Sequence, residues 1–198
     1  HSPLVTHHSP RAMQLDLATP ELTALVRALK DRSGLHRAMA NGGRIVVQDH
    51  FAAFAMGNRN RFGRPSTFWR RMRGATHAES TASVAAVVME REVALRRFGG
   101  TIRPTGPRKA LTIPVNPRAY NRKAASFDGL FIVKPKKNGN VFLARKGRNG
   151  ALELMYLLLP KATIKPNPDV LPTDAQLTAA ATEAATEYLK RRTAVRAS

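Results

Sequence analysis

Residues 130–159 read LFIVKPKKNGNVFLARKGRNGALELMYLLL, and this stretch decides the fold class. Leu130–Lys134 and Val141–Arg145 are short apolar runs on either side of Asn138-Gly139. Asn-Gly suits the positive-φ positions of a two-residue hairpin turn. A second glycine-rich turn then leads into the apolar run Leu152–Leu159. The stretch therefore predicts a three-stranded antiparallel meander.

Two further apolar runs precede the meander. The valine-rich segment Ala82–Met89 predicts a strand, since β-branched residues favour extended backbone. Apolar residues alternate from Leu111 to Val115, but Pro114 lies among them. Because proline cannot donate a ladder hydrogen bond, this second run predicts an edge strand. The sequence thus predicts an antiparallel sheet of about four strands, including the meander.

Two helices are predicted before these strands. Thr19 and Pro20 supply an N-cap and a first-turn proline, and leucines follow at helical spacing. A second helical pattern runs from about 34 to 56 and contains the glycine pair 42–43. Each glycine costs about 1 kcal/mol relative to alanine inside a helix. Either the helix breaks there or another backbone packs closely against it, and we expect an interrupted helix.

The C-terminal region combines a connector with a helix. The segment 164–172 contains three prolines, which predict extended backbone. Thr173 and Gln176 have the spacing of a capping box, so a helix is predicted to begin there. One face of this helix carries Leu177, Ala181, Ala184 and Tyr188. Its small side chains allow close approach, so we expect the face to pack on a sheet or on another subunit.

The order of helices, strands and helix predicts an α+β fold. Its antiparallel β-sheet is packed with N-terminal helices and a C-terminal helix. The chain of 198 residues is long enough for one domain with a substantial core. We divide it into a leader or arm at 1–18, a core domain at 19–163, and the connector with its helix at 164–198. The first part of the leader, residues 1–12, is rich in His, Ser and Pro and lacks the pattern of a signal peptide.

Composition excludes several classes of protein. The chain has no cysteine, which removes disulfide scaffolds, thiol catalysis and zinc sites built on cysteine. It has no run approaching the roughly 20 apolar residues that a membrane helix needs, so no membrane partner is expected.

Positive charge is the dominant feature of the composition. Thirty-three Lys and Arg residues against 13 Asp and Glu give a formal net charge of +20. The stretch 59–148 holds 21 of these basic residues and four acidic ones, a net of +17. Such a chain is attracted to polyanions or to acidic protein surfaces. The alternative for any single cluster is a solvated surface that keeps the protein soluble.

Basic residues are clustered at 59–73 and again at 134–148. These two clusters provide the candidate contacts to a polyanion or a protein partner. These candidates are Arg59, Arg61, Arg64, Arg70, Arg71, Arg73, Lys134, Lys136 and Lys137. Aromatic residues near the first cluster are few, namely Phe62, Phe68 and Trp69, and no ribonucleoprotein motif is present. The pattern therefore indicates attraction to charge rather than recognition of bases.

The sequence offers little for catalysis. Its six histidines show neither the HExxH spacing nor a neighbouring cluster of acidic residues. There is no G-x-S-x-G motif, and the glycines near 99–106 lack the Gly-Lys-Ser/Thr order of a phosphate-binding loop. We therefore expect no catalytic residues, no cofactor and no metal, and we interpret the protein as a non-enzyme.

Several segments carry a resemblance to a known family. They are Leu35-His36-Arg37 to His50-Phe51, the stretch FGRPSTFW at 62–69, RFGGTI at 97–102, KALTIP at 109–114, and VLPT at 170–173. In this order they resemble the virion-morphogenesis or tail-completion (neck) proteins of tailed phages, particularly Mu-like ones. The resemblance extends from about Leu22 to Arg192.

The resemblance implies a small α+β subunit that assembles into a ring, commonly sixfold, at the head–tail junction or the end of the tail. It implies no catalytic residues, because the role is mechanical. The implied partners are copies of the chain itself, neighbouring connector, neck or tail-tube proteins, and the DNA that passes through. The implied location is the virion, with assembly in the host cytoplasm. Candidate subunit-interface residues are Phe98, Ile102, Leu177, Ala181, Ala184 and Tyr188.

The charge alone supports a second hypothesis. A net charge of +17 over ninety residues also suits a sequence-independent nucleic-acid-binding protein of ribosomal or nucleoid type. The two hypotheses differ in what they predict, since the first requires a ring or assembly on a partner and the second requires strongly salt-dependent binding to nucleic acid.

Overall fold

A computed structural model of the chain describes residues 19–135, 139–147 and 149–194. The helices are α1 (Pro20–Lys30), α2 (Arg32–Gly57), α3 (Thr67–Ala75), α4 (Arg91–Phe98) and α5 (Asp174–Ala194). The strands are β1 (His77–Ser80), β2 (Ala85–Val88), β3 (Gly100–Ile102), β4 (Leu111–Pro114), β5 (Phe131–Val133), β6 (Val141–Lys146), β7 (Leu152–Leu159) and β8 (Ala162–Ile164). Short 3-10 turns lie at Pro117–Ala119, Ala124–Ser126 and Pro168–Val170.

The predicted α+β class and the predicted meander are confirmed. Strands β5, β6 and β7 pair antiparallel in sequence, and β4 pairs with β7 to complete a four-stranded sheet of order β4-β7-β6-β5. Strand β4 is an edge strand, as its proline predicts. Gly139 has a φ of 64°, whereas Asn138 lies outside the described residues. Val133 pairs with Phe142, while a two-residue turn at 138–139 would place it opposite Ala144, so the register does not fit the predicted two-residue turn.

The remaining strands form two small antiparallel pairs. Strand β2 lies within the predicted Ala82–Met89 range and pairs with β1, a strand that the sequence analysis did not identify. Strand β3 pairs with β8, so the proline-rich connector begins at the end of a strand. Both pairs are separate from the four-stranded sheet, which leaves each of their strands with one unpaired edge.

The predicted interruption of the second helix is wrong. Helix α2 continues through its glycine pair because α5 packs closely against it at that point. A Cβ atom at Gly42 would lie 2.7 Å from the carbonyl oxygen of Ala180 and 2.8 Å from the Cβ of Ala184. The glycine therefore serves close helix packing, which is the alternative that the sequence left open.

Side-chain caps fix both ends of the helical layer. Thr19 caps α1 by accepting a hydrogen bond from the Leu22 N–H, as predicted. At α5, the Thr173 N–H donates to the Gln176 side chain at 2.9 Å and the Gln176 N–H donates to Thr173 Oγ1 at 3.3 Å. The predicted capping box is thereby confirmed.

None of the described helices combines the length and the apolar character needed to span a membrane.

Helix α5 is also held at its far end, by Asp31. Asp31 caps α2 by accepting the Gly34 N–H, and the Tyr188 hydroxyl donates to its other oxygen at 2.6 Å. Arg192 lies 3.5 Å from the same carboxylate. These contacts, the Tyr188 hydrogen bond foremost, lower the pKa of the Asp31 carboxyl. The C-terminal helix is thus tied to the junction between α1 and α2.

Two buried clusters make the core. The first joins the helices to the connector and contains Val47, Phe51, Ala55, Trp69, Met72, Val93 and Val170. The second lies on the four-stranded sheet and contains Ala119, Met155 and Tyr156. The Tyr156 hydroxyl is satisfied by donating to the Arg122 carbonyl at 2.9 Å. Because the core is divided in this way, a cleft can open between the helices and the strands.

Candidate polyanion-binding cleft

The loop between α2 and α3 is held by its own hydrogen bonds. Asn60 Oδ1 accepts from the backbone N–H groups of Phe62 and Arg64, at 2.8 and 3.2 Å. The Asn60 N–H donates to the Arg64 carbonyl at 2.8 Å, and Gly63 takes a φ of 73° inside the turn. This side-chain-supported turn fixes the positions from which the loop arginines project.

Helix α3 presents arginines on its exposed side because its apolar residues face the core. Trp69 and Met72 are buried, three residues apart, while Arg70, Arg71 and Arg73 are exposed. The predicted first basic cluster is therefore divided between an ordered loop and an amphipathic helix. Both project from the same end of α2.

A cleft of about 1370 Å³ lies where α2 and α3 face β4 and β8. Six of its lining residues are cationic, namely Arg59, Arg61, Arg70, Arg71, Arg96 and Lys165. Five are aromatic, namely Phe54, Phe62, Phe68, Trp69 and Tyr120. No Asp or Glu lines the cleft in the part of the chain that the structure describes. Positive charge is thus concentrated in a concave site, where its field is strengthened.

Aromatic rings hold several of these guanidinium groups. The Cζ atoms of Arg96 and Arg71 lie 5.1 and 5.9 Å from the centroid of the Phe68 ring. Arg61 is placed similarly, 5.6 Å from the centroid of Phe62. Such cation–π contacts orient an arginine without neutralising its charge. The rings therefore position cations and are themselves covered by them.

Most of the cleft cations have no acidic partner within residues 19–135, 139–147 and 149–194. Arg71 is the exception, with Glu92 at 3.9 Å. Arg59 donates to the Gly63 carbonyl at 2.8 Å and Arg61 to the Pro114 carbonyl at 3.5 Å, and both acceptors are neutral. The cleft therefore carries a net positive charge that an anionic ligand could compensate.

The structure brings together only part of the predicted set. Arg59, Arg61, Arg70 and Arg71 line the cleft. Arg64 and Arg73, with Arg70, line an adjoining hollow of about 590 Å³. Lys134 lies exposed beyond the end of β5 and does not line the cleft, and Lys136 and Lys137 lie outside the described residues.

Two cleft cations were absent from the predicted set. Arg96 comes from α4 and Lys165 from the connector. A hydrogen bond of 3.1 Å from the Asn167 N–H to the Arg96 carbonyl joins these two segments. Neither residue belongs to a cluster that includes the loop arginines in sequence. Arg96 begins a separate basic run at 96–123, and for Lys165 the signal was the general excess of basic residues. Neither signal shows which of the charges meet.

The candidate interface residues of α5 make contacts within the chain. Leu177 packs against the helical core, and Ala184 lies against Gly42. Tyr188 donates its hydroxyl hydrogen bond to Asp31, at the junction between α1 and α2. Ala181 is half-buried and lines a small apolar groove with Val87. This face of α5 is therefore assigned to packing on the chain's own helices.

The other two interface candidates lie on the surface. Phe98 is 75% exposed, and Ile102 in strand β3 is also exposed. Gly99 between them has a φ of 74°, and a Cβ atom there would lie 2.9 Å from the Ile164 carbonyl oxygen. Only glycine fits this close, left-handed position. The backbone thus turns sharply from α4 into β3 and leaves both apolar side chains exposed.

Each described histidine makes a hydrogen bond to a backbone carbonyl. His36 contacts the Thr81 carbonyl at 2.9 Å and His50 the Asp169 carbonyl at 2.8 Å. His77 contacts the Ala75 carbonyl and Glu79, and these contacts raise its pKa. Among the described residues, no three His, Asp or Glu side chains are grouped so that they could hold a metal ion.

No protein-family model, no curated protein and no solved structure matches the chain.

Proposed function

We propose that the chain is a structural subunit of a tailed-phage virion. In this role it forms a ring at the head–tail junction or the end of the tail, and it acts through protein–protein contacts without catalysis. The resemblance of its segments to virion-morphogenesis and tail-completion proteins supports the proposal. The RFGGTI and KALTIP segments, and the Leu-Pro-Thr entry to the last helix at 171–173, carry most of that resemblance.

The single observation that best supports assembly is the surface of the RFGGTI segment. Phe98 and Ile102 are exposed apolar side chains, and one edge of β3 has no partner among the strands that the structure describes. Apolar groups and an unpaired edge at one place favour contact with another protein. A closed ring requires such a surface to meet a different, complementary surface of the next subunit.

The first test is the mass of the nuclease-treated protein in solution, measured by native mass spectrometry and light scattering. We expect a closed ring, or a monomer that assembles when a purified neck or tail-tube ring is added. Changing Phe98→Ser together with Ile102→Ser should weaken the assembly at least about tenfold, because buried apolar anchors dominate interface energies.

The control is Ile45→Ser, which alters an apolar side chain of α2 that is 50% exposed and lies outside the lining of the cleft and of its adjoining hollow. It should leave the assembly unchanged, and circular dichroism should show that both variants remain folded. A chain that stays monomeric with every such partner contradicts the proposal, whereas an assembly that the double variant leaves intact contradicts the assignment of Phe98 and Ile102 to its interface.

A specific observation favours a second candidate function, sequence-independent binding to nucleic acid. The cleft collects six cations and no acidic residue among its described lining. On duplex DNA, affinity falls as salt rises, and each phosphate that such a site neutralises makes the slope of log affinity against log salt steeper by about 0.9. This candidate predicts a steep slope and sub-micromolar affinity in a filter-binding titration.

Under this second candidate, the double change Arg61→Gln and Arg96→Gln should reduce the slope by about 2, since two phosphate contacts are lost. The matched control is Arg103→Gln with Arg108→Gln, which removes the same charge from exposed residues outside the cleft lining. Equal changes of slope in the two variants, or a slope near zero in the unmodified protein, would exclude the cleft as a phosphate-binding site.

A further inference from the structure

We propose that the cleft between α3 and the strands β4 and β8 binds an extended acidic peptide segment of a partner protein. The inference rests on the proposed assembly function, because it names the chemistry of one partner. Its basis is the arrangement of charge, aromatic rings and a strand edge in the cleft.

Charge complementarity is the first observation. Arg59, Arg61 and Arg96 have no carboxylate partner among the described residues, although all three line the same concave surface. An arginine can bind a carboxylate through two parallel hydrogen bonds, and its charge does not depend on pH in the physiological range. Several carboxylates presented along one chain would match several fixed guanidinium groups.

The aromatic residues distinguish a peptide from single-stranded nucleic acid. Proteins that bind single strands without sequence preference stack the bases on aromatic faces. Here Phe68 is covered by Arg71 and Arg96, and Phe62 carries Arg61 and contacts Tyr120 edge-to-face at 5.7 Å. These rings support the chain's own cations, which favours a ligand that offers anionic groups and needs no stacking platform.

One strand edge favours an extended ligand. Thr163 and Ile164 of β8 line the cleft, and β8 is at the edge of its two-stranded sheet. Pro114 of β4 also lines the cleft, but it has no N–H and its carbonyl already accepts from Arg61, so it offers an added strand no free hydrogen-bonding group. Edge strands leave a row of backbone hydrogen-bonding groups that an added peptide strand can use. Side chains of an extended peptide alternate between two faces, so acidic residues at every second position would point to the same side.

The test measures binding of a fluorescein-labelled 12-residue peptide, in which Glu and Thr alternate, to the full chain. Fluorescence anisotropy gives the affinity. A peptide with Gln in place of Glu and a 12-nucleotide oligothymidylate are the comparison probes. We expect the acidic peptide to bind and the Gln peptide not to bind. The variant with Arg61→Gln and Arg96→Gln should weaken binding about tenfold or more. The Arg103→Gln and Arg108→Gln control should weaken it less than about threefold.

Three results would overturn the inference. The first is no binding of the acidic peptide, and the second is an equal loss of peptide affinity in the cleft and control variants. The third is an oligothymidylate that binds more tightly than the acidic peptide and loses more affinity than the peptide does in the cleft variant. The last result would assign the cleft to nucleic acid. Peptide binding by a protein that never forms a ring would retain this inference while contradicting the proposed ring. A ring that does not bind the peptide would contradict this inference and retain the proposed ring.

Discussion

Replacing Trp69 by alanine is expected to lower the free energy of unfolding by about 3–5 kcal/mol. Trp69 is 6% exposed, and its ring contacts those of Phe51, Phe54 and Phe68 at centroid distances of 5.4, 4.8 and 4.7 Å. Alanine would remove all three contacts and leave a cavity that the helices cannot fill completely. Urea unfolding followed by far-UV circular dichroism measures the loss.

The same substitution should disturb the cleft, because Phe68 packs edge-to-face on Trp69 and carries Arg71 and Arg96. Met56→Ala is the control, since Met56 is exposed and its loss should change the free energy of unfolding by no more than about 0.5 kcal/mol. A loss below about 1 kcal/mol for Trp69→Ala would show that the aromatic cluster does not hold α3 to α2.

The four-stranded sheet could be predicted because its signals are local. Residues 130–159 contain the strands and both turns of the meander within thirty residues, so pattern and turn chemistry agree. The edge position of β4 followed from Pro114 alone, because the chemistry of that residue forbids a central strand. The capping box of α5 was equally local.

Other elements could not be predicted because their signals are tertiary. Helix α3 has nine residues, three of them arginine, and only Trp69 and Met72 are buried. Its stability depends on packing against α2, and a short sequence pattern does not reveal a partner that lies elsewhere in the chain. Strand β1 is four residues long and contains His77 and Glu79, so it lacks the apolar alternation of a buried strand.

The cleft shows the same limit for function. Its loop arginines could be selected from the sequence as a cluster, but Arg96 and Lys165 join them only through the packing of α4 and the connector. Conversely, Lys134 belongs to a basic cluster in sequence and lies outside the cleft. Charge density along a chain therefore predicts an attraction to negative charge, whereas the fold decides which charges act together.

Changing Gly42→Ala is expected to lower the free energy of unfolding by about 1–3 kcal/mol. The new methyl group would meet the Ala180 carbonyl oxygen at 2.7 Å and the Ala184 Cβ at 2.8 Å. The first is a backbone atom and the second is attached directly to the backbone of α5, so neither can move aside by rotating a flexible side chain. Helix α5 would have to separate from α2, and this cost should exceed the gain of about 1 kcal/mol that alanine brings to a helix.

Gly74→Ala is the matched control, because Gly74 lies in α3 and a Cβ atom there would meet no heavy atom within 4 Å. This change should raise the free energy of unfolding by about 0.5–1 kcal/mol, since alanine reduces the conformational entropy of the unfolded chain. The two glycine substitutions are therefore expected to have opposite signs in parallel urea titrations. If Gly42→Ala stabilised the protein as Gly74→Ala does, the close contact between α2 and α5 would be absent in solution. The continuous α2 would then need another explanation for its glycines.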